Sequence, residues 1–286
     1  MTVPKGFIDL VKIAMKEQPD KPKDTKDVWE KFLRVALMGG KRSDPEVSFL
    51  LKLLKNYLDM DYLLKKDGED WRDEVSALID ERTSRIKDED ALVMLGIFKK
   101  EIFRICASLK GAARFFDKEK ISPEKLSELL DTKEKARAFV DDLAGNEDVT
   151  NIKYTKVIIW LHSIGYGYDL APPSYQTKAF INEIYGYYQF YEDDKYFMKK
   201  MEEFAEEVKK EEKKATVRDV SSAVFYYITL KSMLPQRSKE KKNFTPPVMV
   251  KFIKAKKLTL RKMSEMLSDA EDREKLIQTL YDYLLK

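Results

Sequence analysis

An all-α fold is expected for this chain, on three observations. Apolar residues recur at the three-and-four spacing of a helix almost from end to end. No stretch alternates apolar and polar residues convincingly, as a half-buried strand would. Glycine and proline number 10 each in 286 residues and gather at a few corners, which leaves long runs free of helix breakers.

The elements follow in order. Helices are predicted over 7–18 and 26–38. A third enters at "SDPEV", where Ser43 or Asp44 can cap and Pro45 fits the first turn, and runs to about residue 66. Gly68 in "DGEDW" marks a break before a helix over 69–82, and the next spans about 88–116, bending near Gly111. "ISPEKLSELL" repeats the cap-then-proline entry at Ser122 and Pro123, and "DTKEKARAFVDDLAG" ends at Gly145, a natural helix stop. After an apolar helix opening near Lys156 come helices over 174–191, 194–213 and 216–233. "LPQRSKEKKNFTPPV" reads as a linker, and three more helices follow near 246–255, 259–267 and 270–284. The expected division is an N-terminal extension (1–44), a two-lobed helical body (45–234) and a basic C-terminal appendage (235–286). No internal repeat of fixed period is present.

Composition narrows the chemistry. The chain is long enough for a core that needs no disulfides or metals. Lysine and glutamate dominate a charged fraction of 36%, while Cys, His and Gln are rare, as in proteins of very hot environments. With one cysteine (Cys106) and one histidine (His162), a single chain can build no disulfide framework, Cys/His zinc site or cysteine-held iron–sulfur cluster. No metal and no cofactor are expected. The charged opening "MTVPKGFIDLVKIAMKEQPDK" is not a secretory leader, and no apolar run could span a bilayer, so a cytoplasmic protein without a membrane partner is expected.

Net charge is only +4, so its distribution matters more than its sum. Ten cations between Arg237 and Lys262 face one acid, Glu240, before residue 263. That segment either lines a phosphate backbone or is a solvated surface. "KKMEEFAEEVKKEEKK" mixes both signs at helical spacing and reads as a solvated helix face.

The segment "KYTKVIIWLHSIGYGYDLAPPSYQTK" carries the most chemistry. From Lys156 the helix is apolar nearly all round, as a buried helix is. Burial and the positive end of the helix dipole both disfavour an ammonium there, so Lys156 is expected to lower its pKa and act as a nucleophile. Pro172 and Pro173 stiffen the return, and Ser174 is placed to cap the next helix.

These residues resemble the helix-hairpin-helix DNA glycosylase superfamily. A lysine opens a buried helix, and a polar residue caps the following one eighteen positions later, close to the lysine-to-aspartate spacing of the family's endonuclease III branch. "DYLLKKDGEDWRDEV" and, more weakly, "IFKKEIFRICASLKGAARFFDK" are similar to segments of the archaeal 8-oxoguanine glycosylase branch. The likeness covers roughly residues 45–233 at low identity.

The resemblance implies a DNA glycosylase with abasic-site lyase activity on a flipped-out damaged base, with Lys156 attacking C1′. The family's aspartate is replaced by Ser174, and Asp169 is the nearest carboxylate. Ile152, Lys153, Tyr154, Thr155 and Lys178 would meet DNA, although Ile152 and Tyr154 stand near the family's hairpin glycines. Trp160, Tyr166, Tyr168 and Trp71 are the rings available to stack on a base, and Leu63 stands where the family's glutamine reads a base edge. Damaged duplex DNA is the expected partner of a monomer, with a possible protein partner for the C-terminal region. A glycosylase-fold protein that binds DNA, or a repair or replication partner, without catalysis is the second reading. An unrelated helical scaffold is the third.

Overall fold

The computed structural model of the chain describes residues 2–17, 19–38, 44–186 and 193–285. Among them are sixteen α-helices and no strand, so the chain is all-α. It divides into two compact units, Asp20–Tyr166 and Met1–Pro19 with Gly167–Lys286. The boundaries expected at 44 and 234 do not coincide with this division.

The continuous unit holds α2 (Thr25–Leu37), α3 (Asp44–Leu53), α4 (Met60–Lys65), α5 (Gly68–Thr83), α6 (Glu89–Lys118), α7 (Pro123–Leu129), α8 (Lys133–Gly145) and α9 (Tyr154–Ser163). Short polar side chains open most of them. Asp24, Asp59, Asp67, Asp88, Ser122 and Thr132 each accept a first-turn backbone N–H. The apolar faces of α2, α6, α8 and α9 meet in an aromatic cluster of Trp29, Phe32, Phe116, Phe139 and Trp160, with ring centroids 4.8–6.3 Å apart.

The helix expected from 43 or 44 to 66 is two helices. Between them the Leu58 carbonyl accepts Trp29 Nε1 at 2.8 Å and the Tyr57 carbonyl accepts Trp71 Nε1 at 2.7 Å. Carbonyls drawn into bonds with buried indoles are lost to the helical ladder, and the chain reopens at the Asp59 cap. Ser43, the other expected cap, lies outside the described residues. The α4–α5 corner is held on α6 by Lys110, whose ammonium donates to the carbonyls of Leu63 (3.0 Å) and Lys66. Cys106 lies beside it, buried, its thiol pushed up by burial.

The discontinuous unit holds α1 (Phe7–Ala14), α10 (Tyr175–Tyr185), α11 (Asp194–Glu211), α12 (Val217–Met233), α13 (Lys239–Asn243), α14 (Pro246–Ala255), α15 (Leu260–Ser268) and α16 (Ala270–Leu284). Its core joins Phe7 and Leu10 of α1 to Phe180, Phe204, Val224, Phe252 and Leu280. Gly6 opens α1 at φ 78°, a left-handed backbone natural to glycine, with Pro247 so near that a Cβ would clash. The stretch expected to be a linker contains α13 and the fully buried Phe244, so the C-terminal helices belong to this core and are not appended to it. The end of the helix expected over 174–191 falls at 187–191, outside the described residues.

Candidate functional site

Helices α8 and α9 pack on each other and are joined by residues 146–153. The connection is tied to α6. Asn151 Nδ2 donates to Ser108 Oγ at 3.0 Å and to the Arg104 carbonyl at 3.3 Å, and the Asn151 amide donates to Ser108 Oγ at 3.2 Å. Where the family carries hairpin glycines, Ile152 is buried in the core and Tyr154 donates its hydroxyl to Asp141 at 2.8 Å. Lys153 folds back to donate to the Ala144 carbonyl at 3.1 Å, and Thr155 is half-buried.

Among the described residues no side chain caps α9, and its first turn carries no acid. Lys156 sits in that turn, half-buried, and its ammonium donates to the Ala36 carbonyl in the last turn of α2 at 2.7 Å. A helix C-terminus favours a cation. The lysine expected to be a nucleophile thus also ties α9 to α2 as a C-terminal cap. The rest of α9 is core on Val157, Ile158, Trp160 and Leu161, while Ile159 reaches the surface at 38% exposure.

Lys156 belongs to the continuous unit, whereas Ser174, Asp169 and Lys178 belong to the discontinuous one. Ser174 caps α10 as expected. Its Oγ accepts the Thr177 amide at 3.2 Å and lies 3.2 Å from Thr177 Oγ1, which in turn donates to the Pro172 carbonyl at 2.7 Å. Asp169 is exposed, with Lys209 Nζ 4.0 Å away. Lys178 pairs with Asp194 at 2.8 Å and lies over the Phe197 ring.

The stacking assignments divide. Trp160 and Trp71 have no exposed surface, and each indole is covered by protein, so neither offers a face to a base in this structure. Leu63 is buried in the same way. Tyr166 and Tyr168 are half-buried. Tyr166 donates to the Pro123 carbonyl at 3.0 Å and has Lys21 over its ring. The Arg218 guanidinium lies 5.3 Å from the Tyr168 ring centroid, and burial raises that phenol.

One feature had no motif to announce it. A groove of about 890 Å³ runs between α2, α3 and the start of α4, lined by Lys26, Glu30, Arg34, Lys52, Lys55 and Tyr62. It forms from residues scattered over 26–62, which only tertiary packing assembles. The C-terminal cations singled out in the sequence divide into two groups. Lys251, Lys254, Lys256 and Lys257 are exposed and have no carboxylate partner among the described residues, whereas Arg261 and Lys262 approach Glu265 at 3.5 and 3.6 Å. Comparison with protein-family models, with curated proteins and with solved structures finds no match.

Proposed function

We propose that the protein acts on DNA as a helix-hairpin-helix glycosylase and abasic-site lyase, with Lys156 as its Schiff-base nucleophile. The observation that carries this reading is a half-buried lysine in the uncapped first turn of α9, directly after the α8–α9 hairpin. In the lyase half of the reaction the free amine adds to C1′ of the ring-opened sugar and one water leaves. The resulting imine acidifies C2′, whose proton departs as the C3′–O bond to phosphate breaks. Asp169, or a water held by Ser174, is the proton carrier this reading assigns. The test is borohydride reduction on duplex DNA carrying an abasic site or a panel of base lesions. A covalent adduct that persists in Lys153→Ala and vanishes in Lys156→Ala is the expected result. No adduct with any of these substrates overturns it.

A second reading, DNA binding without catalysis, is favoured by the hydrogen bonds that occupy both groups, Lys156 on Ala36 and Ser174 on Thr177. An adduct that appears only in Ser174→Asp would identify the natural chain as this degenerate form. Binding would then rest on cations such as Lys251, Lys254, Lys256 and Lys257. Replacing all four with alanine should weaken DNA binding and flatten its salt dependence, by about one unit of slope for each phosphate no longer neutralised. Deleting 235–286 is the poorer test, because Phe244, Phe252 and Leu280 belong to the unit's core.

A further inference from the structure

Among the described residues, nothing packs on one face of α6 along its first half. Glu89, Val93, Gly96, Ile97, Lys100, Phe103, Arg104 and Ala107 recur at spacings of three and four, so they share a side of the helix, and all are exposed. Val93 is 63% exposed, Ile97 43% and Phe103 70%, three of the seven large apolar side chains exposed among the described residues. Further along, the same side is covered by the hairpin. At Gly111 an added Cβ would lie 2.1 Å from the Asp148 carbonyl oxygen, and Ser108 is bonded to Asn151. The bare stretch is therefore the part of a packing face that no described residue of this chain covers.

Gly96 points to what covers it. A glycine inside a helix costs about 1 kcal/mol relative to alanine, and at Gly96 nothing lies within 4 Å of where a Cβ would be. No neighbour among the described residues explains the residue, whereas the close approach of a second helix would. The charges identify that helix. The face begins with an acid, Glu89, and ends with the bases Lys100 and Arg104. Glu89 has no partner among the described residues, and Arg104 has the half-buried Glu101 at 3.1 Å. A face that is acidic at one end, apolar in the middle and basic at the other is complementary to itself when inverted.

We propose that α6 pairs antiparallel with α6 of a second copy of this chain, the two-fold axis passing between Gly96 and Ile97. In that register Glu89 of one copy stands opposite Arg104 of the other, Val93 lies along the stem of Lys100, and Ile97 fills the space left by Gly96. Every pairing occurs twice, as a two-fold interface requires. The interface is narrow and falls in the class below about 1,200 Å² of total buried area, which gives weak and reversible association. This departs from the monomer expected from sequence and does not depend on the proposed function.

The experiment is sedimentation equilibrium of the full chain over a concentration series, with far-UV circular dichroism to verify that each variant is folded. The wild type should pass reversibly from monomer to dimer. Ile97→Asp and Phe103→Glu, both on exposed positions, should each abolish the dimer while leaving the fold unchanged. Glu89→Arg and Arg104→Glu alone should each move the midpoint to roughly tenfold higher concentration, by placing like charges opposite one another. Combining the two should restore it. A wild type that stays monomeric at the highest concentration reached, a dimer that survives Ile97→Asp, or a charge-reversed pair no better than its single variants would each overturn the proposal.

Discussion

The two units are alike in being built of helices and unlike in how their chains close. In the continuous unit, packed helices mostly lie near one another in sequence, as in α4 and α5 on α6 and α8 on α9. In the discontinuous unit, α1 packs on α12 and α14, and the ring of Phe7 stacks on Phe180 at 5.2 Å and meets Phe204 edge-on at 5.3 Å. That pairing closes a loop containing the entire other unit. Loop closure grows only slowly in cost with length, so the arrangement is tolerable at equilibrium. It is slow to reach from an unfolded chain, however, because non-local packing is rewarded only after closure. A unit of this kind should depend on a few anchoring side chains more heavily than its neighbour does.

The largest expected effect breaks that comparison directly. Phe7 is completely buried, and Phe7→Ala should cost about 3–5 kcal/mol through lost transfer energy and a residual cavity. Trp160, equally buried at the centre of the other cluster, should cost a similar amount as Trp160→Ala. Hydrogen exchange read by peptide separates the two. Phe7→Ala should deprotect α1 and α10–α16 and spare α2–α9, with Trp160→Ala doing the reverse. Loss of protection throughout the chain in either variant would mean that the units do not unfold separately.

A middle-sized effect sharpens how the continuous unit is held. Gly111 was expected to bend a helix, but α6 runs unbroken through it and the residue serves a close approach instead. An added Cβ would meet the Asp148 backbone, its carbonyl carbon at 2.5 Å as well as its oxygen. Backbone cannot swing aside as a side chain can, so Gly111→Ala should cost about 1–3 kcal/mol although it improves helix propensity. A thermal melt indistinguishable from wild type would show that the hairpin does not sit on α6 as described.

These particulars mark what was legible in the sequence. Helix starts were readable wherever a short polar residue precedes an apolar run, as at Ser122 and Ser174, because capping is a local property. The break before Asp59 was not, since it depends on Trp29 and Trp71 reaching carbonyls 29 and 14 residues away. Nor was the return of α1 to the C-terminal helices, which nothing local to Phe7 announces. For the candidate site, periodicity identified α9 as buried and the spacing singled out Lys156. It could not distinguish an indole facing a cleft from one facing the core, because Trp160 satisfies both patterns. It also could not foresee that the Lys156 ammonium would find the end of α2, a hydrogen bond spanning 120 residues.

The smallest effect concerns charge, and it again separates the units. In the continuous unit, Lys66 and Glu74 pair at 2.6 Å with both side chains partly exposed, so that solvent screens the interaction. In the discontinuous unit, Lys231 is half-buried between Glu183 Oε1 at 2.8 Å and the Tyr227 hydroxyl at 3.1 Å. Burial alone would lower this lysine, but hydrogen bonds to Glu183 and Tyr227 outweigh it and hold Lys231 above its ordinary value. A lysine raised in the folded state contributes stability that is fully present below its unfolded value near 10.5 and is lost as pH rises through the higher folded value. Glu183→Gln should therefore cost about 0.5–1 kcal/mol at pH 7, discounted for the half-exposed carboxylate. The difference from wild type should persist to about pH 10 and close above it, as Lys231 loses its proton in both proteins. Urea midpoints of the two proteins from pH 7 to 11.5 measure this. A gap constant across the range would assign the interaction to packing rather than charge.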